Sequence, residues 1–487
     1  MPPPLHHQDP AMMGRPQGKA NQRSAFTLKN IFLNGLLISV LFFLNKLSVP
    51  GSALCYGILF CMAIRSLEGA VKAMSLSAII IVANPFLIDI NLVHTFLRFP
   101  LIAVAGSRIF WEASRSRGGL FAGPHIKALL AFGGVTLVLA CINQYYFMIS
   151  FLKLGVFIYG AYAIMLATDM GRFSGSDLTG WFCSLVLFYV AGNLLAYGVG
   201  VGYTFRGKLF AGGEKVELGL AGMTNHPQTQ GPLSAISFVF AFCVYLFTPY
   251  RARWVMGVVT PVLLVLCYMS AARTGLFAAL IAVGVVVGLA FMMRSGRRRV
   301  RMNISTAQIV SIGLFAVVAL ILVEASTGGA LAQKMSDFAL KAIRTGGGEG
   351  ISFASVFESR MAIITSSWES FLQQPFMGVG FGTSLDPRFA ATATLFTAPT
   401  EKGFLPTALL EEVGIFGTLC FVVFLIAFFV HYWKARNIIA LGMMACLLLL
   451  NLGEMMFFSL GGMGLYCWSL IGAGIALGDR CVEVVRR

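Results

Sequence analysis

The chain has 487 residues, of which 57% are hydrophobic and only 11% charged, and its mean hydropathy is +0.81. A soluble domain carries about 25% charge, so these figures exclude a soluble enzyme. They describe a polytopic membrane protein built of helices, the element that satisfies its own backbone hydrogen bonds in lipid. The formal net charge of +16 does not point to nucleic acid, because the basic residues fall in short loops between apolar runs, where the positive-inside rule places them.

Met1 to Asn30 is polar, basic and proline-containing, with no apolar core followed by a cleavage site, and reads as a disordered cytoplasmic tail. Apolar runs of about 17–25 residues are spanning candidates. They fall near 31–47, 49–64, 71–89, 92–113, 124–142, 145–168, 177–202, 230–249, 254–270, 274–294, 305–324, 403–432, 437–456 and 458–478. The expected fold class is therefore all-α, a polytopic bundle of about 12–14 transmembrane helices. It divides into a tail (1–30), an N-terminal bundle (31–324), a large outer loop with short helices (325–402), C-terminal helices (403–478) and a short tail (479–487). Cys55, Cys61, Cys183, Cys267, Cys420 and Cys446 lie in apolar runs and read as small buried hydrophobes.

Orientation follows from the basic loops. Arg294-Ser-Gly-Arg-Arg-Arg-Val-Arg301 is the strongest cytoplasmic marker. Alternation outward from it places Arg251/Arg253, Arg172, Arg115/Arg117, Arg65/Lys72, Lys434/Arg436 and both termini on the same side. It also places three polar segments together on the opposite face: Tyr203 to Thr229, the turn Met269 to Gly275, and 325–402.

The last of these is the longest polar interruption in the chain. It holds a glycine hinge (Thr345 to Gly350), an amphipathic tract (Phe353 to Phe371) that predicts a helix at the membrane surface, and the run Pro375-Phe-Met-Gly-Val-Gly-Phe-Gly382. The glycine hinge lacks the Gly-Lys-Ser/Thr ending of a nucleotide loop. Arg206, Arg273 and Arg360 lie on the outer face. Each can snorkel to lipid headgroups, or, since guanidinium grips phosphate bidentately, the set can face one cavity and hold a diphosphate. His226, in Asn225-His-Pro-Gln228, is a loop histidine that can be solvated or can serve as a reserve base. Glu411 and Glu412 fall at the start of a helix, where the N-terminal dipole favours a carboxylate. No carboxylate or histidine cluster has metal-ligand spacing along the chain, and there is no serine-hydrolase elbow.

The order Arg360, Trp368, Pro375-x-x-Gly378-x-Gly380, then Glu412-x-Gly414-x-x-Gly417, resembles the O-antigen ligase and polysaccharide polymerase superfamily. Asn225-x-x-Gln228 with Gly231, and Ser270 to Arg273-x-Gly275, are similar to that family's upstream motifs, so the resemblance covers roughly residues 200–430. It implies an integral-membrane glycosyltransferase that uses lipid-diphosphate-linked glycans at the outer face of the bacterial inner membrane, without nucleotide sugar, metal or other cofactor. It assigns the diphosphate to Arg273 and Arg360, with Arg206 as a further contact. Asn225, His226, Gln228, Lys402 and Glu412 fall to donor or glycan binding. The family places a histidine ahead of the returning helix, whereas this chain has Glu401-Lys402-Gly403, so Glu401 stands as the substitute base.

The expected partners are a polyprenyl-diphosphate oligosaccharide donor, a glycan or lipid A core acceptor, the bilayer, and polysaccharide export and chain-length proteins. A glycan acceptor makes the chain a polymerase and a lipid A core makes it a ligase. A transporter or flippase for lipid-linked sugars is the alternative of another class, and it calls for charges within the spans near the midplane. A scaffolding protein is a third alternative, with no need of converging outer arginines.

Overall fold

The computed structural model describes residues 27–46, 49–88, 92–115, 119–121, 123–142, 147–170, 175–206, 216–248, 253–293, 298–300, 353–385, 402–459 and 461–484. The expected span at 305–324, the glycine hinge and Glu401 lie outside these residues. Among the described residues there are fourteen helices and four short strands. The first seven helices are α1 (Leu28–Leu44), α2 (Val49–Arg65), α3 (Leu67–Ile81), α4 (Leu92–Ser114), α5 (Pro124–Ile142), α6 (Phe147–Asp169) and α7 (Gly175–Gly198). The rest are α8 (Pro227–Phe247), α9 (Arg253–Met269), α10 (Arg273–Met292), α11 (Phe353–Gln373), α12 (Leu405–Ala435), α13 (Ile438–Leu450) and α14 (Met463–Cys481). Strand β1 (Tyr203–Arg206) pairs antiparallel with β2 (Val216–Leu220), and β3 (Arg298–Val300) with β4 (Val482–Val484).

Seven helices, α4, α5, α6, α7, α8, α10 and α12, are long and apolar enough to cross a membrane. The 17 residues each of α1, α2 and α9 rise about 25 Å, short of the roughly 30 Å hydrocarbon core. The protein is thus a multi-pass helical membrane protein, as its composition requires.

Local chemistry sets the helix ends. Thr27 Oγ1 accepts from Asn30 N (3.2 Å), Ser66 Oγ from Gly69 N (2.9 Å) and Asn437 Oδ1 from Ala440 N (3.0 Å), each satisfying an N–H that the first turn leaves without a partner. Helix α8 is the innermost span, with Gln230, Ser234 and Ser237 all fully buried. Its polar seam is matched from neighbouring helices: Tyr189 Oη donates to Gln230 Oε1 (2.7 Å), and Ser237 Oγ lies 2.8 Å from Tyr466 Oη. Such bonds hold helices together where burial from water supplies no force between them. Cys61 differs from expectation. It is exposed on α2, whereas Cys55, Cys183, Cys267 and Cys446 are buried.

The loops sort into two ends, as alternation demands. At one end β3 meets β4, Arg436 Nη1 donates to Met293 O (3.1 Å), Asn437 Nδ2 donates to Asp479 (2.8 Å) and Lys72 pairs with Asp177. This is the basic end of the sequence reading. At the other end the turn after α3 bridges to Thr224, Arg98 reaches Gly461 O (3.3 Å), and the heads of α8, α10 and α12 come together.

Candidate functional site

Helix α12 is continuous in hydropathy but broken in backbone. Gly414 has φ +61° and ψ −167°, outside the helical region. The break frees the carbonyls before it, and the segment after α11 takes them up. Val379 N donates to Glu411 O (2.8 Å), Gly380 N to Glu412 O (3.0 Å), and Ile415 N donates back to Pro375 O (2.8 Å). This contact needs glycine on both sides. Gly378 has φ +69°, and a Cβ there would sit 2.5–2.6 Å from the Glu412 carbonyl, while one at Gly414 would strike the Phe376 carbonyl. The Pro-x-x-Gly-x-Gly run and the Gly414 motif, 36 residues apart in the chain, are two halves of one joint.

The segment 374–385 was expected within an outer loop. It is instead inserted between helices. Phe381 is only 2% exposed and its ring meets Phe132 of α5 (6.2 Å), Phe157 of α6 (6.2 Å) and Phe458 (5.1 Å). Irregular backbone at that depth is tolerated where protein covers it and satisfies its polar groups, and a knot of four charged side chains does so. Lys402 Nζ donates to Thr383 O (2.6 Å) and lies 2.8 Å from Glu411 and 3.5 Å from Glu412. Lys153 of α6 donates to Gly382 O (2.9 Å), Gly382 N donates to Glu412 Oε2 (2.6 Å), and Ser384 Oγ donates to Glu411 Oε1 (2.6 Å). Lys402, Glu411 and Glu412 are all at most 3% exposed. Two cations and two carboxylates balance.

The expected roles of Lys402 and Glu412 change accordingly. Among the described residues both side chains are spent on the inserted segment and on each other. Glu411 and Glu412 are not in the first turn of α12, which starts at Leu405 and holds no acid in its first turn. Their carboxylates serve the inserted segment rather than the helix N-terminus.

Beside this joint lie two of the sequence-predicted arginines, Arg273 and Arg360. Arg360 of α11 donates from Nη1 to Gly403 O (2.6 Å) and from Nη2 to Glu454 Oε1 (3.0 Å). Arg273 opens α10 and is close enough to Arg360 for the two charges to interact. Its neighbour Thr274 packs against Gly453, whose carbonyl in turn abuts Gly403. Arg360 and Glu454 are about one-fifth and one-seventh exposed, and Arg273 is half-buried. Five N–H donors leave Arg360 further capacity beyond Gly403 and Glu454.

The upstream motif flanks this pair. Ala272 packs on Gly231, one turn into α8, and Gly219 of β2 sits on Ser270 O. Asn225, His226 and Gln228 stand exposed at the head of α8. His226 is its N-cap, with Nδ1 accepting from Gln228 N (3.1 Å), and Asn225 Oδ1 accepts from Thr229 Oγ1 (3.2 Å). An imidazole whose Nδ1 accepts carries its proton on Nε2 when neutral, so in this arrangement the Nε2–H of His226 is a donor. Arg206 ends β1.

Sequence reasoning marked Glu454 as the main charge within the spans, near the outer end of its helix, but gave it no role in the site, and it passed over Lys153. Glu454 carried a signal as the one carboxylate of an otherwise uncharged hairpin. Lys153, inside an apolar run, did too. No family model and no curated protein matches this chain.

Proposed function

We propose that this chain is an inner-membrane glycosyltransferase that moves a polyprenyl-diphosphate-linked glycan onto an acceptor glycan hydroxyl at the periplasmic face, and so polymerises a surface polysaccharide. The observation that supports the reading is that Arg273, at the start of α10, and Arg360 of α11 lie near enough for their charges to repel, close to the exposed head of α8. Glu454 already offsets part of the charge on Arg360, and a diphosphate would offer further oxygens to both guanidinium groups. In the proposed step the acceptor oxygen attacks the anomeric carbon. The bond from that carbon to the diphosphate oxygen breaks, and the electron pair leaves with the lipid diphosphate. Arg273 and Arg360 stabilise the charge gathering there. Glu401, two residues before the Gly403 carbonyl that Arg360 holds, takes the acceptor proton. Glu454 orients Arg360, and Asn225, Gln228 and the Nε2–H of His226 offer hydrogen bonds to sugar hydroxyls. Arg206 is a further phosphate contact in this scheme.

Transfer to lipid A core is the variant with a different acceptor. The broken α12, with buried charge at the break, is the observation that favours a transporter. Those charges are, however, paired with one another and with the inserted segment among the described residues, which weighs against the transporter reading. Lipid-linked glycans of a strain lacking the chain distinguish the readings. Single repeats accumulating without polymer support the polymerase, finished polymer retained on its lipid carrier supports the ligase, and an unchanged glycan profile overturns both.

A further inference from the structure

At the basic end, opposite the arginine site, three residues remote in sequence meet. His125 lies in the first turn of α5, Asp169 ends α6 and His431 lies near the end of α12. One nitrogen from each imidazole and one Asp169 oxygen lie within 4.8 Å of one another. His125 Nε2 is 3.8 Å from Asp169 Oδ1 and His431 Nε2 is 3.9 Å from the same oxygen, both beyond hydrogen-bond reach. The two rings are 4.4 Å apart between centroids.

His125 is fully buried and its Nδ1 has no hydrogen-bond partner. Its Nε2 has only the Tyr432 hydroxyl at 3.4 Å. A buried imidazole with one nitrogen unsatisfied and the other weakly held is costly. Nothing in the proposed reaction uses these residues. A carboxylate facing two imidazoles without bonding either is the arrangement left when the atom they share is taken away.

We infer that His125, Asp169 and His431 form a binding site for a divalent first-row transition-metal ion of the zinc class. Two imidazoles and one carboxylate are a recurrent donor set for such ions. Ligand bonds of about 2.0–2.1 Å in tetrahedral geometry put donor atoms roughly 3.4 Å apart, so the two His–Asp169 distances must close by about half an ångström and no donor pair, all being within 4.8 Å, by more than about 1.4 Å. The Gly123 N–H bonds Asp169 and fixes its orientation, as outer-shell donors do for metal carboxylates. His431 is one-third exposed and lines a hollow of about 480 Å³ with Pro124, Ala427, Val430, Lys434 and Ala435. Through His431 the site borders that hollow, which offers a route of entry for the ion. The ion ties together the ends of α5, α6 and α12. At their other ends α6 supplies Lys153 and α12 supplies Glu411 and Glu412 to the joint that holds the inserted segment, so the metal staples the helices that carry it.

The test uses the full-length, untagged protein in detergent, stripped with chelator, loaded with Zn²⁺ and freed of excess ion. About one zinc per chain is expected, with a higher unfolding temperature than the stripped protein, because an ion bound only to the folded state stabilises it. His431→Gln and Asp169→Asn, both at partly exposed positions, should weaken zinc at least about tenfold and abolish the thermal gain. His226→Ala, and a variant with His6 and His7 both replaced by alanine, should keep both. Failure of the wild-type chain to retain zinc overturns the inference. So does equal retention by H431Q and D169N, which would place the ion elsewhere. Neither outcome bears on the arginine site.

Discussion

Replacing Lys402 by methionine isolates what the buried charges do. The ammonium reaches Thr383 O, Glu411 and Glu412 within 3.5 Å, at 3% exposure. Methionine fills a similar volume and adapts to the space, so the change is chiefly electrostatic. Two carboxylates are left buried, with Lys153 the cation on the same segment. Removing one partner of a buried ion pair costs about 3–5 kcal/mol, because the charge left behind is uncompensated. For a chain of this size that corresponds to a fall of roughly 3–5 °C in unfolding temperature. The assay is thermal unfolding of purified protein in detergent, followed by fluorescence of the buried Trp181 and Trp468. The decisive arm is the double variant Lys402→Met with Glu411→Gln, which restores charge balance and should recover most of the loss. An unfolding temperature unchanged in Lys402→Met, or a double variant no better than the single one, would refute the reasoning. Unchanged stability with lost product would return Lys402 to substrate binding.

Four further outcomes are expected. Gly378→Ala should destabilise the protein by about 3 kcal/mol or more, combining left-handed strain of about 1–2 kcal/mol with loss of the bonds from Val379 and Gly380, as read by thermal unfolding. Arg273→Ala and Arg360→Ala should each reduce polymer formation about 10²–10³-fold at normal protein level, with lysine a poor substitute because it lacks the planar fork; near-normal polymer from both alanine variants would favour lipid snorkelling. Glu401→Gln should keep donor binding and lose turnover, because the amide cannot accept the proton, and normal product would remove Glu401 as the base. A cysteine at Gly347, in a background without the ten native cysteines, should react with an impermeant thiol reagent in intact spheroplasts; reaction only after permeabilisation would invert the topology.

The helices were largely legible because a membrane-spanning helix must be apolar over its whole length, and that length shows directly in the chain. Thirteen of the fourteen expected runs overlap described helices, and the other, 305–324, lies outside the described residues. The ends shifted where polar chemistry intervened. Ser66 starts α3 before the apolar run, and Asn451 ends α13 early, where its carbonyl accepts from Leu405 N and its side chain from Phe457 N. The break in α12 was not legible, since hydropathy runs through Gly414 unchanged and the partner that stabilises the break lies in the 374–385 segment. Arg273 and Arg360 were singled out from charge against an apolar background, and the fold places them near enough for their charges to interact. His125, Asp169 and His431 were invisible for the opposite reason. Their spacings of 44 and 262 residues match no linear ligand pattern, and only the packing of α5, α6 and α12 joins them.

Glycosyl transfer from a lipid diphosphate held by the arginine pair is the central claim. Purified protein reconstituted into proteoliposomes with a polyprenyl-diphosphate oligosaccharide tests it most directly. Elongated glycan should form together with free polyprenyl diphosphate, and both should be lost in Arg273→Ala and Arg360→Ala. Intact donor recovered after incubation, or donor moved across the bilayer without release of the lipid diphosphate, would contradict it.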